Sequence, residues 1–516
     1  MTHAAATRSS TGYANYVLGV LVLVYMLNFI DRQILSILAE DVKRDLGLDD
    51  DDIGFLFGTA FGVFYSLFGI PLGRLADNWN RVRLISIGLA VWSTMTALSG
   101  LARTGLELTF ARIGVGIGEA TASPCAYSLL SDYFPKEKRA TALAIYSSGI
   151  YLGGGLSLFI GGLVVGTWNN AFPGGGPFGL VGWQAAFMAV GIPGLFVALW
   201  VATLREPVRG MADGIVTPTS PAPFADFFQE LVAIIPPLTL IGAWRRGPRA
   251  VVTNIAFAIF IAGISYALIR ATGKIPQWVA VGIGVYAVFS WATALRVRDY
   301  PTFRLIWGTP AFVYIAIGYG LIAFVSYGLA LWAAPYAERV LGQEKAIAGL
   351  FLGGGAAAAG FMGVITGGWL ADRWRRTNPA GRVLVIMVGA LGPIVPVIIG
   401  FNTESPVVFY ISCFVAQVLG SSALGAAAAQ SQDLVLPRMR GTATATFFLG
   451  TALIGLALGP YTAGFVSTLT GSLRIGVLSL LTVSPIAFIL LILAYRAVPE
   501  AERTIADRAR AAGEPI

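Results

Sequence analysis

Four charged side chains interrupt long apolar runs, and their spacing suggests proton chemistry. Asp31 and Arg32 stand in Asn28-Phe-Ile-Asp31-Arg32-Gln33; Arg112 and Glu119 stand in Arg112-Ile-Gly-Val-Gly-Ile-Gly118-Glu119. A carboxylate at membrane depth is costly and usually marks an ion or proton path. At a rise of about 1.5 Å per residue, Asp31 on an outgoing helix and Arg112 on a returning one reach similar levels. Glu119 follows two turns deeper, on the face that carries Arg112. The spacing therefore predicts a cluster of Asp31, Arg32, Arg112 and Glu119 on a cavity wall. The protonation of Asp31 would answer both to its arginine neighbours and to the wetting and drying of that cavity. The competing reading is a permanent buried salt bridge between two helices. Buried ion pairs are poor stabilisers, which tips the balance toward proton coupling. The stretch 406–431 in the second half has Gln417 but no acid or base in its apolar core, so coupling is expected in the first half.

Other chemistries lack their residues. The single histidine is His3 in a polar N-terminal tail, and the two cysteines, Cys125 and Cys413, fall in apolar stretches. A disulfide, a metal centre and His-based catalysis are not expected. Gly114-x-Gly116-x-Gly118 lacks the spacing and the preceding strand of a dinucleotide loop, and no ATP-binding motif suggests a primary pump. No catalytic residue and no cofactor are expected; the energy source would be a proton gradient.

These residues must be positioned by membrane helices. Hydrophobic residues make up 56% of the chain and charged ones 12%, against roughly 25% charged in soluble domains, and the mean hydropathy is +0.74. The net charge of +8 is carried by short loops between apolar runs, as the positive-inside rule expects, not as a nucleic-acid surface. With about 20 apolar residues needed per crossing, spans are predicted near 13–38, 52–73, 82–101, 106–131, 139–166 and 183–203. A second six lie near 308–335, 346–371, 382–400, 406–431, 441–467 and 474–495. The expectation is an all-α polytopic membrane protein with a six-helix bundle over 13–203, a linker over 204–307 and a second bundle over 308–495, followed by a tail over 496–516. The linker is proline-bearing (Pro218, Pro221, Pro223, Pro236, Pro237) and carries an inserted transmembrane hairpin near 250–295. Its segment Phe224–Val232 alternates at helical spacing and suits the membrane surface. No cleavable signal follows Met1–Thr11. Loop arginines and lysines, among them Arg74, Arg81, Lys138, Arg139, Arg373, Arg382 and Arg440, place both termini in the cytoplasm of a bacterial inner membrane; Lys43 and Arg44 are the exception, offset by nearby aspartates.

The chain repeats itself. Gly73-Arg-Leu-Ala-Asp77 closes the second span of one half and Gly368-Trp-Leu-Ala-Asp372 that of the other; Asp132…Arg139 recurs as Asp433…Arg440. Such a repeat is typical of transporters. An Asp at a helix end facing a neighbouring Arg makes a charge-assisted bond that can lock two bundles and break when they rock. Asp77, Arg74, Arg81, Asp132, Arg139, Asp372, Arg373, Asp433 and Arg440 are thus gating candidates; for the arginines alone, a purely topological role is as good. Tyr65, Tyr127, Trp332 and Phe447 are candidate cavity aromatics.

The Gly-x-Leu-Ala-Asp loop followed by Arg81 and Arg83 resembles the signature of the major facilitator superfamily. Together with Asp31-Arg32 and Arg112-x-Gly-x-Gly-x-Gly-Glu119, it resembles the spinster family within it, best over 13–165. The resemblance implies two six-helix bundles working by alternating access and an amphipathic, lipid-like substrate such as a lysophospholipid or sphingoid compound. It further implies Asp31 as the proton-responsive carboxylate, Arg32 and Arg112 as its partners and Glu119 as a polar cavity residue. The inserted hairpin and Asn78, where the signature has Arg or Lys, depart from the pattern. The leading expectation is a proton-coupled exporter functional as a monomer, its partners being protons, the bilayer and a small amphipathic or drug-like molecule. A proton symporter importing an organic anion and an uncoupled lipid facilitator, scramblase or receptor are the alternatives; an enzyme is the weakest.

Overall fold

The computed structural model describes residues 11–210 and 220–515; His3 and Pro218 lie outside them. Among the described residues the regular structure is helical throughout. The first half comprises α1 (Thr11–Leu46), α2 (Asp50–Asn78), α3 (Arg81–Ser99), α4 (Gly105–Glu119), α5 (Ala122–Tyr133), α6 (Lys136–Ala171) and α7 (Gly182–Ala202). The connection holds α8 (Pro223–Ile234), α9 (Thr239–Arg246), α10 (Pro248–Thr272), α11 (Ile275–Arg298) and α12 (Tyr300–Ile306). The second half comprises α13 (Pro310–Arg339), α14 (Lys345–Arg375), α15 (Gly381–Gly400), α16 (Pro406–Asp433), α17 (Pro437–Thr470) and α18 (Leu473–Arg503), with α19 (Ile505–Ala511) in the tail.

Thirteen of these helices are long and apolar enough to cross a membrane. The span expected at 106–131 is broken into α4 and α5 at Ala120–Thr121. Pro124 is the cause: it has no N–H for the carbonyl of Ala120, and its ring crowds that carbonyl. Ala120 and Thr121 keep right-handed helical angles, so the chain continues inward past the break. The amphipathic segment foreseen at Phe224–Val232 lies in α8, which with α9 forms an elbow bent by 92°.

The halves meet along two seams. On one, α6 lies against α14 so closely that a Cβ on Gly155 would stand 2.5 Å from the carbonyl oxygen of Gly353, and one on Gly162 2.6 Å from that of Lys345. On the other, the start of α2 meets α17, where a Cβ on Gly54 would lie 2.6 Å from the Pro460 carbonyl. Small residues allow this backbone approach where lipid removes the hydrophobic drive. Gly155→Val is expected to wedge the α6–α14 seam and cost about 1–3 kcal/mol, as overpacking does; the check is a lower melting temperature in detergent.

The inserted hairpin is not a free appendage. Trp291, Leu295 and Ala287 of α11 pack with Val63 and Leu67 of α2, Leu449 and Leu453 of α17 and Ile234 of α8. The Thr59 hydroxyl stands 2.7 Å from Gln277 Oε1 and donates to the Ala457 carbonyl at 2.6 Å. Thus α11 covers the α2–α17 seam, while α10 beyond it is exposed along most of its length, with Val252, Ile259 and Phe260 outward.

Candidate functional site

Between the halves lies a cavity of about 1600 Å³. Arg74, Asp77, Arg298 and Arg440 line its mouth, so it opens at the basic end of the molecule, where the loops carry arginine and lysine. At the opposite, acidic end the halves are closed against each other.

The charge cluster sits on the first-half wall. Arg32 lines the cavity. Its Nη2 donates to Glu119 Oε2 at 3.0 Å, both side chains being buried. Three rings flank its guanidinium: Phe61 at 4.6 Å, Phe29 at 4.7 Å and Tyr65 at 4.9 Å. Cation–π contact of this kind holds a charge in an apolar wall. Arg112, one shell deeper, donates to main-chain carbonyls: Asp31 at 3.0 Å, Leu56 at 3.4 Å and Arg32 at 3.5 Å. The Leu56 carbonyl belongs to the π-helical turn Phe55–Thr59, a distortion that often accompanies function. Asp31 is 2% exposed, and its Oδ1 receives no hydrogen bond. The groups close enough to act on it are Glu119, Arg112, Thr96 and Trp92. The arginines foreseen as partners of Asp31 are therefore committed elsewhere, Arg32 to the Glu119 carboxylate and Arg112 to carbonyls. The heptad spacing did bring Arg112 and Glu119 to one face, but only Arg32 of the four reaches the cavity surface.

Two of the aromatic candidates, Tyr65 and Tyr127, line the cavity. Trp332 and Phe447 do not. Both are fully buried, Trp332 with its indole N–H on the Pro460 carbonyl at 2.8 Å and Phe447 stacked on Tyr319. The wall they were expected to form is built instead by Tyr327, Phe351, Phe361, Phe401, Tyr410 and Phe414 of the second half. Aromatic and neutral polar side chains line both halves, Tyr25, Tyr65, Ser66 and Ser123 on the first and Tyr327, Phe351, Gln417 and Ser421 on the second, but at the depth of the cavity a full charge, Arg32, faces in from the first half alone.

At the basic end Asp132 and Asp433 bind different arginines from those expected. Asp132 accepts from Arg81 at 2.5 Å and from the Gly210 N–H at 2.9 Å; Arg81 also holds Glu206 at 2.7 Å. Asp433 accepts from Arg382 and, at 3.2 Å, from Arg375. The partners Arg81–Asp132 and Arg382–Asp433 are 51 residues apart in each half, a structural repeat that the Asp132–Arg139 and Asp433–Arg440 spacing concealed. The reason is geometric: the first turn of the third span stands beside the last turn of the fourth, whereas the Pro437 turn carries Arg440 round to the cavity mouth. Asp372 bonds Arg382 of the neighbouring span at 3.2 Å, and the Arg373 guanidinium lies 5.5 Å from the Trp369 ring. Asp77 faces the mouth near Arg209, Arg74 and Arg81. The ion pairs of Arg81, Arg375 and Arg382 do not join the two halves. A further clasp ties the tail to the linker: Arg438 bonds Asp299 at 2.8 Å and also Glu514. Partial burial of Asp299 is outweighed by hydrogen bonds from Arg438 and Thr302, which hold its pKa at about 2.

Among the described residues the ion pairs that cross between halves are at the acidic end, and they were not foreseen. Arg339 of α13 grips Asp50 with both terminal nitrogens at 2.7 Å and also bonds Glu40. Lys345 of α14 bonds Asp41, and Ser467 of α17 donates to Asp50 at 2.6 Å. The signal was present in the charges at 40–52 facing Arg339 and Lys345, the end where the positive-inside rule expects few cations. Asp49, Asp51 and Asp52 come within 4.8 Å of one another, and the Lys274 ammonium at the hairpin tip takes Asp51 at 2.5 Å and Asp52 at 3.3 Å. Burial weakens that ammonium, but the two carboxylates more than compensate and raise its pKa.

A closed end, an open end and a charged cavity wall between two repeated bundles define a solute carrier. The family model of the Major Facilitator Superfamily matches residues 21–460, and the chain belongs to that superfamily. It is similar to an MFS-type efflux pump of Mycolicibacterium smegmatis, 26% identical over 449 residues that span 87% of this chain and 83% of the other. It is likewise similar to Protein spinster homolog 1 of Xenopus laevis, 25% identical over 90% of this chain and 76% of the other. Among solved structures, a bacterial homolog of the human lysosomal transporter spinster, in an inward-facing and unoccupied conformation, superposes with a TM-score of 0.72 at 27% identity, covering 96% of this chain and 99% of that one. A peptide transporter, POT, shares the fold at a TM-score of 0.65 and 15% identity, covering 95% of each chain. The protein is a multi-pass membrane transporter of this superfamily, similar in sequence and fold to spinster transporters, and not an enzyme.

Proposed function

We propose that the protein is a proton-coupled exporter of an amphipathic, lipid-like or drug-like solute. It works as a monomer by alternating access, with its basic end and both termini in the cytoplasm of a bacterial inner membrane. The observation that carries this reading is the one-sided charge of the cavity: the first-half wall holds the buried Arg32–Glu119 pair, and the facing second-half wall, aromatic and neutral polar, has no full charge at its depth. A solute with one polar end and an apolar body satisfies both walls. An organic anion would find Arg32 already neutralised by Glu119, which disfavours the import reading. The names of the relatives, an efflux pump and spinster homologs, point the same way, and the loop arginines support the orientation. In that orientation the conformation is inward-open, like the inward-facing neighbour.

Asp31 is proposed as the proton site, because an intramembrane carboxylate with an unfilled oxygen is expensive unless it has a use. Arg32, Arg112 and Glu119 relay its state to the cavity, and the motif charges Asp77, Arg74, Arg81, Asp132, Arg139, Asp372, Arg373, Asp433 and Arg440 govern closure at the cytoplasmic end. The test is efflux of labelled lysophospholipid from proteoliposomes with and without a pH gradient, beside Asp31→Asn protein. Export should follow the gradient in the wild type, and the variant should lose that dependence. Equal efflux under all four conditions would leave an uncoupled facilitator. No efflux above empty liposomes would set aside the lipid-like solute.

A further inference from the structure

Three arginines, Arg245, Arg246 and Arg249, flank the corner between α9 and α10. The corner is made by Gly247 at φ +107°, a conformation closed to other residues at low cost, followed by Pro248 at the first position of α10. Among the described residues none of the three has a carboxylate partner; Glu230 of α8 is taken by Arg298 at 2.6 Å. Arg246 uses its Nε on the Gly242 carbonyl at 3.2 Å, and its Nη1 is buried with no acceptor. Tyr286 is close enough to act on it and belongs to a buried polar knot. The Tyr286 and Thr239 hydroxyls are 3.0 Å apart, and Tyr286 reaches Asn254 Oδ1 at 3.5 Å. Around this polar centre the surface is apolar: Trp244 is 78% exposed, and Ile241 and Val252 also face outward.

A sheltered guanidinium N–H without an acceptor, two further unpaired cations and an interfacial tryptophan have one natural complement in a bilayer. We propose that this corner binds the phosphate of an anionic phospholipid from the leaflet at the basic end, with its acyl chains along the exposed face of α10. Arg246 would supply the inner, directional bonds, and Arg245 and Arg249 the outer field. Arg298 and Glu230, which join α11 to α8, line the cavity mouth, so a lipid held here steadies the elbow beside the opening. The inference is independent of which solute the cavity takes.

Native mass spectrometry of the full chain in detergent, titrated with phosphatidylglycerol or phosphatidylcholine, tests the proposal. The wild type should retain phosphatidylglycerol in preference. Arg245→Gln/Arg246→Gln/Arg249→Gln should weaken that binding by about 10- to 100-fold and leave phosphatidylcholine unchanged. Arg83→Gln/Arg376→Gln, which removes exposed arginines elsewhere at the same end, should have no effect. Should the triple variant not fold, Arg246→Gln against Arg245→Gln decides, since the sheltered Arg246 must cost more. Equal retention of the two lipids, equal loss in the Arg83/Arg376 variant, or displacement by millimolar inorganic phosphate as a free soluble anion would each overturn the proposal.

Discussion

Arg339→Glu is expected to open the acidic end and shift the resting conformation away from the one described. Asp50 is 5% exposed and accepts two bonds from Arg339 and one from Ser467, all from the opposite half. The substitution turns this grip into a meeting of like charges, the new carboxylate standing against Asp50 and Glu40. Breaking a buried pair costs roughly 3–5 kcal/mol. Solvent at Arg339, whose side chain is 29% exposed, trims that to about 2–3 kcal/mol. The cost falls only on the state in which the pair is made, so it appears as a population shift of about 30- to 150-fold. Spin labels at Arg44→Cys and Glu344→Cys, in protein with Cys125 and Cys413 replaced by serine, report the separation of the two halves at that end. The distance should lengthen in Arg339→Glu, and turnover should drop at least about tenfold, because a carrier held in either state cannot cycle. Arg339→Lys, which keeps the charge but loses the two-pronged geometry, should fall between. Unchanged distances would mean that the glycine seams alone close this end, and that the ion pairs are ornaments of it.

How much of this was readable beforehand depends on whether a feature is local. Spans, the twofold repeat and the inserted pair follow from hydropathy and from motifs that recur along the chain, and the helices fall where those patterns put them. The break at Ala120–Thr121 was also legible, since Pro124 sits four residues after the carbonyl it displaces, but an apolar run of that length reads as one helix until the proline is weighed. Partner choice was not legible. The Asp–Arg spacing within each motif suggested Asp132 with Arg139, yet a helix end meets whatever its neighbour presents at that level, and that was Arg81. The same limit hid the closure at the acidic end, where the charges of 40–52 balance locally on paper but reach across to Arg339 and Lys345 in space. Trp332 and Phe447 show the converse. An aromatic in a span has a lipid face, a core face and a cavity face open to it, and composition cannot choose among the three.

Arg32→Ala carries the second large effect, and it separates stability from transport. Glu119 is 1% exposed; its Oε1 already lacks a partner, and its Oε2 has Arg32. Removing the guanidinium strands a buried carboxylate and empties the space between Phe29, Phe61 and Tyr65, so the loss should reach roughly 3–5 kcal/mol. Arg32→Ala/Glu119→Ala removes the stranded charge as well and should recover a large part of the melting temperature, while transport stays abolished in both. Asp31→Asn should melt close to the wild type, since Asp31 Oδ1 bonds nothing that the substitution breaks. If the double variant proves no more stable than Arg32→Ala, then packing of the guanidinium between its three rings, not the ion pair, holds this wall. The polar side of the cavity would then be a consequence of stacking, and Glu119 would be free to bind solute or proton on its own account.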